Sequence, residues 1–229
     1  MSDTLAWSLT VLLAYLIGSV PFGYLLGRAR GVDLRTLGSG NIGATNAMRQ
    51  LGVPIGVACF VLDFSKGALP TLLAGLYFNT FDPSSLTPTG AWWWTGCACA
   101  TVMGHMFSAY LRLRGGKGIA TTFGAMLALY PHATIPALVA LVVWILTLAV
   151  TRYVGVSSCV AALSLPLALV VRTSISSRDN AWETSAPFLL LTSALMMIVL
   201  VKHRGNIRRT IAGTEPRIGR AESGADTPA

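Results

Sequence analysis

Long apolar runs, each closed by glycine, hydroxyl or basic residues, organise this chain. They cover residues 5–27, 53–78, 91–111, 133–150, 154–171 and 183–201. A hydrocarbon core about 30 Å thick needs roughly 20 apolar residues in a helix, so each run predicts a transmembrane helix. A seventh stretch, 118–130, is short for a span, and Pro131 separates it from the next run.

The basic residues decide how to count the short stretch. Arg28, Arg30, Arg35 and Arg49 follow the first run, Arg112, Arg114 and Lys117 follow the third, and 79–90 contains neither Lys nor Arg. By the positive-inside rule the N-terminus is then outside. Lys202, Arg204, Arg208, Arg209, Arg217 and Arg220 follow the last run and should be inside as well. Only an odd number of crossings satisfies both ends, so 118–130 counts as a crossing. The expected fold is an all-α polytopic membrane protein with seven transmembrane helices, one short, N-terminus outside and C-terminus cytoplasmic. This topology leaves Arg172 and Arg178 outside and Lys66 within a span, with every other Lys and Arg inside. Trp92, Trp93 and Trp94 fall at the outer end of the third run, as an interfacial belt. Residues 1–220 form one domain, and the small, polar stretch 221–229 is expected to be disordered.

Composition agrees with this topology. Hydrophobic residues make up 53% of the 229 residues and charged residues 11%, too little polar surface for a soluble globule. The formal charge of +8 could suggest nucleic acid, yet no nucleic-acid-binding motif is present and the basic residues flank apolar runs, so no nucleic-acid partner is expected. Residues 1–4 carry no basic side chain and the first run leads directly into Gly-Ser-Val-Pro-Phe-Gly, so no cleaved signal peptide is expected. Cys59, Cys97, Cys99 and Cys159 sit in apolar runs without paired metal-site spacing and read as small hydrophobes, so no metal or cofactor is expected.

Two polar stretches stand out against this background. Residues 38–46 read Gly-Ser-Gly-Asn-Ile-Gly-Ala-Thr-Asn, and 112–122 read Arg-Leu-Arg-Gly-Gly-Lys-Gly-Ile-Ala-Thr-Thr. Irregular polar backbone at a membrane is tolerated only where it is buried in protein or lines a watery cavity. In the first loop Gly38, Gly40 and Gly43 let successive amides turn toward an anion, while Ser39, Asn41, Thr45, Asn46 and Arg49 add side-chain donors. In the second, Gly115, Gly116, Lys117 and Gly118 lead into a helix whose first amides favour negative charge. Both patterns predict a phosphorylated ligand. Lys117 is followed by Gly118 rather than Ser or Thr, so this is not a nucleotide-binding P-loop.

Other ionisable residues lie near the runs. Asp63 and Lys66 fall on one face of the second run, where they could pair, with a functional role and a purely structural one equally open. His105 ends the third run and His203 opens the basic segment 202–209; either could exchange protons near neutral pH. His132, beside Pro131, reads as structural. No histidine has Asp five positions later, and no Gly-x-Ser-x-Gly elbow occurs, so two common acyl-transfer signatures are absent.

Taken together, Gly-Ser-Val-Pro-Phe-Gly-Tyr-Leu-Leu-Gly at 18–27, Leu37 through Asn46 with Arg49, Gly104-His105 with Gly-Gly-Lys-Gly-Ile-Ala-Thr, and His-Arg-Gly-Asn-Ile-Arg-Arg at 203–209 with Gly213-Thr-Glu215 closely resemble the PlsY family, bacterial acyl-phosphate:glycerol-3-phosphate acyltransferases. The resemblance implies an inner-membrane enzyme with its site facing the cytoplasm. It would transfer a fatty acyl group from long-chain acyl phosphate to the 1-hydroxyl of glycerol 3-phosphate, giving lysophosphatidic acid and phosphate for phospholipid synthesis. It also implies transient contact with the enzyme that supplies acyl phosphate. By motif, Ser39, Arg49, Lys117, His203 and Asn206 carry over as catalytic residues. Gly38, Gly40, Asn41, Gly43, Thr45, Asn46, Gly115, Gly116, Gly118, Arg204 and Glu215 are expected to bind substrate, and Asp63, Lys66 and His105 to support the site. Ser157 and Ser158 carry over weakly, because Gly155 stands where a serine is frequent.

The chemistry suits the loops. An acyl phosphate is an activated mixed anhydride, so alignment and cations on the departing phosphate can supply catalysis without a metal or a covalent serine intermediate. The proton acceptor is either His203 or a substrate phosphate oxygen. A carrier for organophosphate anions is the competing class, but a carrier needs access from both sides, whereas these loops share one.

Overall fold

The computed structural model describes residues 3–82, 85–177 and 181–218. The expected tail at 221–229, Arg178 and Arg220 lie outside the described residues. Every predicted run has a helical counterpart, and no strand occurs among the described residues. The helices are α1 (Asp3–Ser19), α2 (Phe22–Ala29), α3 (Ala44–Leu51), α4 (Val53–Tyr77), α5 (Pro88–Met106), α6 (Ile119–Ala128), α7 (Thr134–Thr151), α8 (Val154–Ser174) and α9 (Ala181–Ile211), with one 3-10 turn at Ala109–Leu111. Five stretches, Asp3–Ala29, α4, α7, α8 and α9, are long and apolar enough to cross a membrane. α5 includes polar Thr95, Thr101 and His105, and α6 has only 10 residues.

The first run does not fold as one continuous helix. It breaks between Ser19 and Phe22, where Pro21 lacks the amide that would continue the ladder. The Val20 carbonyl at the break accepts a hydrogen bond from Lys66 Nζ at 2.6 Å.

Small residues set the closest crossings. A Cβ on Gly18 of α1 would meet the Thr101 carbonyl of α5 at 2.2 Å, and one on Gly104 of α5 would meet the Tyr15 carbonyl at 2.3 Å. The same reciprocal fit joins α4 to α6: a Cβ on Gly67 would meet the Thr121 carbonyl at 2.1 Å, and one on Gly124 the Phe64 carbonyl at 2.2 Å. Backbones this close gain van der Waals contact that larger residues would forbid. The short α6 is thereby held along α4.

Trp94, Met126, Leu129 and Phe188 centre the apolar interior. The tryptophan trio divides. Trp92 is half exposed, but Trp94 is fully buried, donates Nε1–H to the Thr71 carbonyl at 2.9 Å and packs edge-on against His132 and Phe188. His132 stacks on Phe188 with ring centroids 5.1 Å apart, a packing role. Large apolar side chains point outward instead, including Leu12, Leu73, Leu146 and Leu167. This exterior suits lipid rather than water.

Candidate active site

One end of the bundle gathers the polar segments. The first glycine loop enters α3 and the second enters α6. Arg49 of α3 bonds the segment after α9, and Lys117 of the second loop bonds Asn206 of α9.

Asn46 shapes the first loop. It is buried in the first turn of α3, and its side-chain Nδ2 lies within 3.2 Å of the Leu34, Leu37 and Asn41 carbonyls while Oδ1 accepts the Ser39 N–H at 3.2 Å. Gly38, at φ +56°, must be glycine because a Cβ would strike Asn46 Oδ1 at 2.6 Å. Ser39 and Gly40 are left exposed at the tip of this turn. Arg49, about one helical turn after Asn46, donates from Nη2 to the Pro216 carbonyl at 3.2 Å.

The second loop is held differently. The amides of Gly115 and Gly116 donate to the Met106 and His105 carbonyls, each at 3.1 Å, so they close the end of α5 rather than pointing into open space. Gly116 lies against the His105 ring, where a Cβ would meet Nε2 at 2.3 Å. The glycines therefore serve close packing, and the side chain they present is Lys117. Its Nζ donates to Asn206 Oδ1. Burial pushes the Lys117 ammonium down to about 8, against the Glu215 carboxylate, which favours the charged form.

From α9, His203 and Asn206 point inward, three residues apart on one helical face. Asn206 Nδ2 donates to Glu215 Oε1 at 2.6 Å, and Arg209 Nε donates to Glu215 Oε2 at 2.7 Å. The result is a chain of partners, Lys117 to Asn206 to Glu215 to Arg209. Arg209 was not anticipated as a site residue; its place one turn beyond Asn206 was the available signal. Nδ1 of His203 donates to the Val199 carbonyl at 2.9 Å, so Nε2 carries the lone pair of the neutral ring.

Residues 214–218 close the group from above. Pro216 holds Arg49, Ile218 N donates to the Arg152 carbonyl at 3.0 Å, and Arg217 Nε donates to Tyr153 Oη at 3.0 Å. Gly155 leaves room for Asn206, whose Cβ a side chain there would meet at 2.5 Å. The hydroxyls of Ser157 and Ser158 donate to the Tyr153 and Val154 carbonyls of their own segment, both at 2.9 Å. Arg204 is exposed on α9. Asp63, Lys66 and His105 lie in the interior and do not belong to the Lys117 group.

An apolar cavity of about 150 Å³ adjoins this cluster, lined by Phe60, Phe123, Met126, Trp144, Leu165 and Val199 among others. Val199 links the two, since its carbonyl holds His203. A hydrogen-bonded cluster that includes Lys117 and Arg209 thus borders an apolar cavity.

The sequence model of the glycerol-3-phosphate acyltransferase family matches residues 8–213. A glycerol-3-phosphate acyltransferase of Trichlorobacter lovleyi is 41% identical over 204 residues, covering 89% of this chain and 93% of its own. That of Geobacter sulfurreducens is 39% identical over 205 residues, covering 90% and 94%. The crystal structure of PlsY (YgiH), an integral membrane glycerol 3-phosphate acyltransferase, in its glycerol 3-phosphate form superposes with a TM-score of 0.78 at 35% identity, covering 93% of this chain and 96% of that one. Its lysophosphatidic acid form gives 0.76 at 34% identity, with the same coverage.

The family match and the superposition make this helical bundle an integral membrane acyltransferase. Within that class, the chain belongs to the glycerol-3-phosphate acyltransferase family, with the PlsY fold.

Proposed function

We propose that this protein transfers a fatty acyl group from acyl phosphate to the 1-hydroxyl of glycerol 3-phosphate, forming lysophosphatidic acid and inorganic phosphate. The observation that carries the reading is the Lys117–Asn206–Glu215 cluster, a hydrogen-bonded group with a partly buried ammonium, beside an apolar cavity. In this mechanism Lys117 and Arg49 hold phosphate oxygens, and Asn206, oriented by Glu215, fixes the Lys117 ammonium. Ser39, exposed at the turn that Asn46 shapes, supplies a hydroxyl donor, and Gly38, Gly40, Asn41, Gly43 and Thr45 complete that wall. The glycerol hydroxyl oxygen attacks the acyl carbonyl carbon, the bond to the phosphate oxygen breaks, and its electron pair leaves with phosphate. His203 Nε2 takes the hydroxyl proton.

The orientation is part of the proposal: one domain over 1–220, seven crossings including the short α6, N-terminus outside, and the site facing the cytoplasm at the bacterial inner membrane. The basic residues that flank both glycine loops and end α9 support it. So do the bonds of Arg49 to Pro216 and of Lys117 to Asn206, which bring α3 and the second loop to the C-terminal end of α9, as an odd number of crossings requires. Transient contact with the enzyme supplying acyl phosphate fits the same face.

Purified protein in detergent should release phosphate only when acyl phosphate and glycerol 3-phosphate are both present; release independent of glycerol 3-phosphate defeats the reading. His203→Gln should lower kcat by roughly 100-fold at saturating substrate, the scale of general-base catalysis. A kcat near wild type would instead assign the proton to a phosphate oxygen.

A further inference from the structure

The mechanism above leaves one buried ionic cluster unused. Asp63 Oδ1 lies 2.8 Å from Lys66 Nζ and 3.5 Å from His105 Nδ1, and none of the three side chains is more than 4% exposed. Ionisable groups at such depth are costly, and a buried ion pair is weak evidence for stability because apolar replacements are often tolerated.

The contacts of this cluster reach both loops. Lys66 Nζ holds the Val20 carbonyl at the break that precedes α2. Cys59 Sγ stands 3.7 Å from Asp63 Oδ2 and 3.7 Å from the Ile42 carbonyl, which lies in the first glycine loop. On the other side, the His105 carbonyl accepts the Gly116 N–H at 3.1 Å, and the His105 ring lies against Gly116 beside Lys117. Asp63 is therefore within two contacts of each loop.

We propose that Asp63, Lys66 and His105 form a positioning cluster that fixes the spacing between the two glycine loops, with Asp63 as the shared anchor. None of the three touches substrate; they act through Ile42 and Gly116. The proposal rests on the reading that both loops line one acyl-transfer site. A shift of about 1 Å in such a spacing is enough to lower turnover by roughly two orders of magnitude.

The test replaces the charges without leaving one unpaired, using the double variant Asp63→Leu/Lys66→Met in detergent with both substrates. The expected result is kcat lower by roughly 30-fold and KM for glycerol 3-phosphate higher by roughly tenfold, with KM for acyl phosphate within about threefold of wild type. Amide hydrogen exchange at Gly115 and Gly116 should accelerate by about tenfold while α8 amides stay protected. Loss of folded protein alone lowers apparent kcat but moves neither KM. Wild-type KM values with unchanged exchange at Gly115 and Gly116 overturn the proposal. If the double variant fails to fold, His105→Gln decides it by the same two readouts, since it breaks the contact to Asp63 and keeps the backbone. Lys117→Ala runs in parallel: an inactive Lys117→Ala beside normal cluster variants rejects this inference alone, whereas an active one rejects the site reading and this inference together.

Discussion

The two glycine loops have nearly the same composition and are supported by opposite means. In residues 38–46 one side chain does the organising: Asn46 gathers three carbonyls and one amide, and the loop tip stays exposed. In residues 115–118 the main chain does it, through two amides bonded to the end of α5 and glycines pressed on His105 and Met106. A loop held by one side chain can adjust around a ligand at modest cost. A loop bonded through its backbone to a packed helix presents its one charged side chain in a fixed place.

Three measurements can break or sharpen that contrast. Lys117→Ala should have the largest effect, lowering kcat/KM by roughly 100-fold, since a buried charge-assisted contact contributes about 1.5–3 kcal/mol and the loss leaves Asn206 without its donor. Steady-state phosphate release measures it, and a fall of less than threefold would reverse the ranking of the loops. Next come the supports themselves. Gly116→Ala forces a methyl into the His105 ring, an overpacking cost of about 1–3 kcal/mol, and should lower kcat by roughly tenfold. Asn46→Ala removes the organiser of the other loop and should act mainly on stability, by about 1–3 kcal/mol in thermal unfolding of the detergent complex, with a smaller change in kcat. Equal kcat losses for the two would erase the distinction.

The smallest effect is on pH dependence. Burial lowers the Lys117 ammonium to about 8, so the free enzyme loses this charge as pH rises through that value. The kcat/KM for glycerol 3-phosphate should therefore decline as pH approaches 8 and stand at roughly half its plateau value at that midpoint. Residues 38–46 contain no lysine, so the first loop should contribute no such limb. A flat profile to pH 10 would place the Lys117 proton outside the rate law.

Much of this was legible in the chain because periodic burial and charge asymmetry are local signals. The apolar runs became helices, and Asp63 did pair with Lys66, as their spacing on one face suggested. What could not be read depends on partners distant in sequence. Nothing near Gly115 or Gly116 says whether a glycine amide faces a phosphate or the carbonyl of residue 105. His105 joining Asp63, and Trp94 turning inward to Thr71, are likewise contacts between separate helices. The break at Val20–Pro21 is a different matter: Pro21 was a visible stop that the length of the first apolar run masked.

The strap at residues 214–218 has a consequence for how the molecule comes into being. It is bonded to Arg49 before α4, to Arg152 and Tyr153 between α7 and α8, and to Asn206 and Arg209 within α9. A nascent chain that has inserted all its helices but not yet released residue 218 still lacks the carboxylate that orients Asn206 and the carbonyl that steadies Arg49. A chain cut before Glu215 would thus keep α1 to α9 and lack the acceptor that holds Asn206.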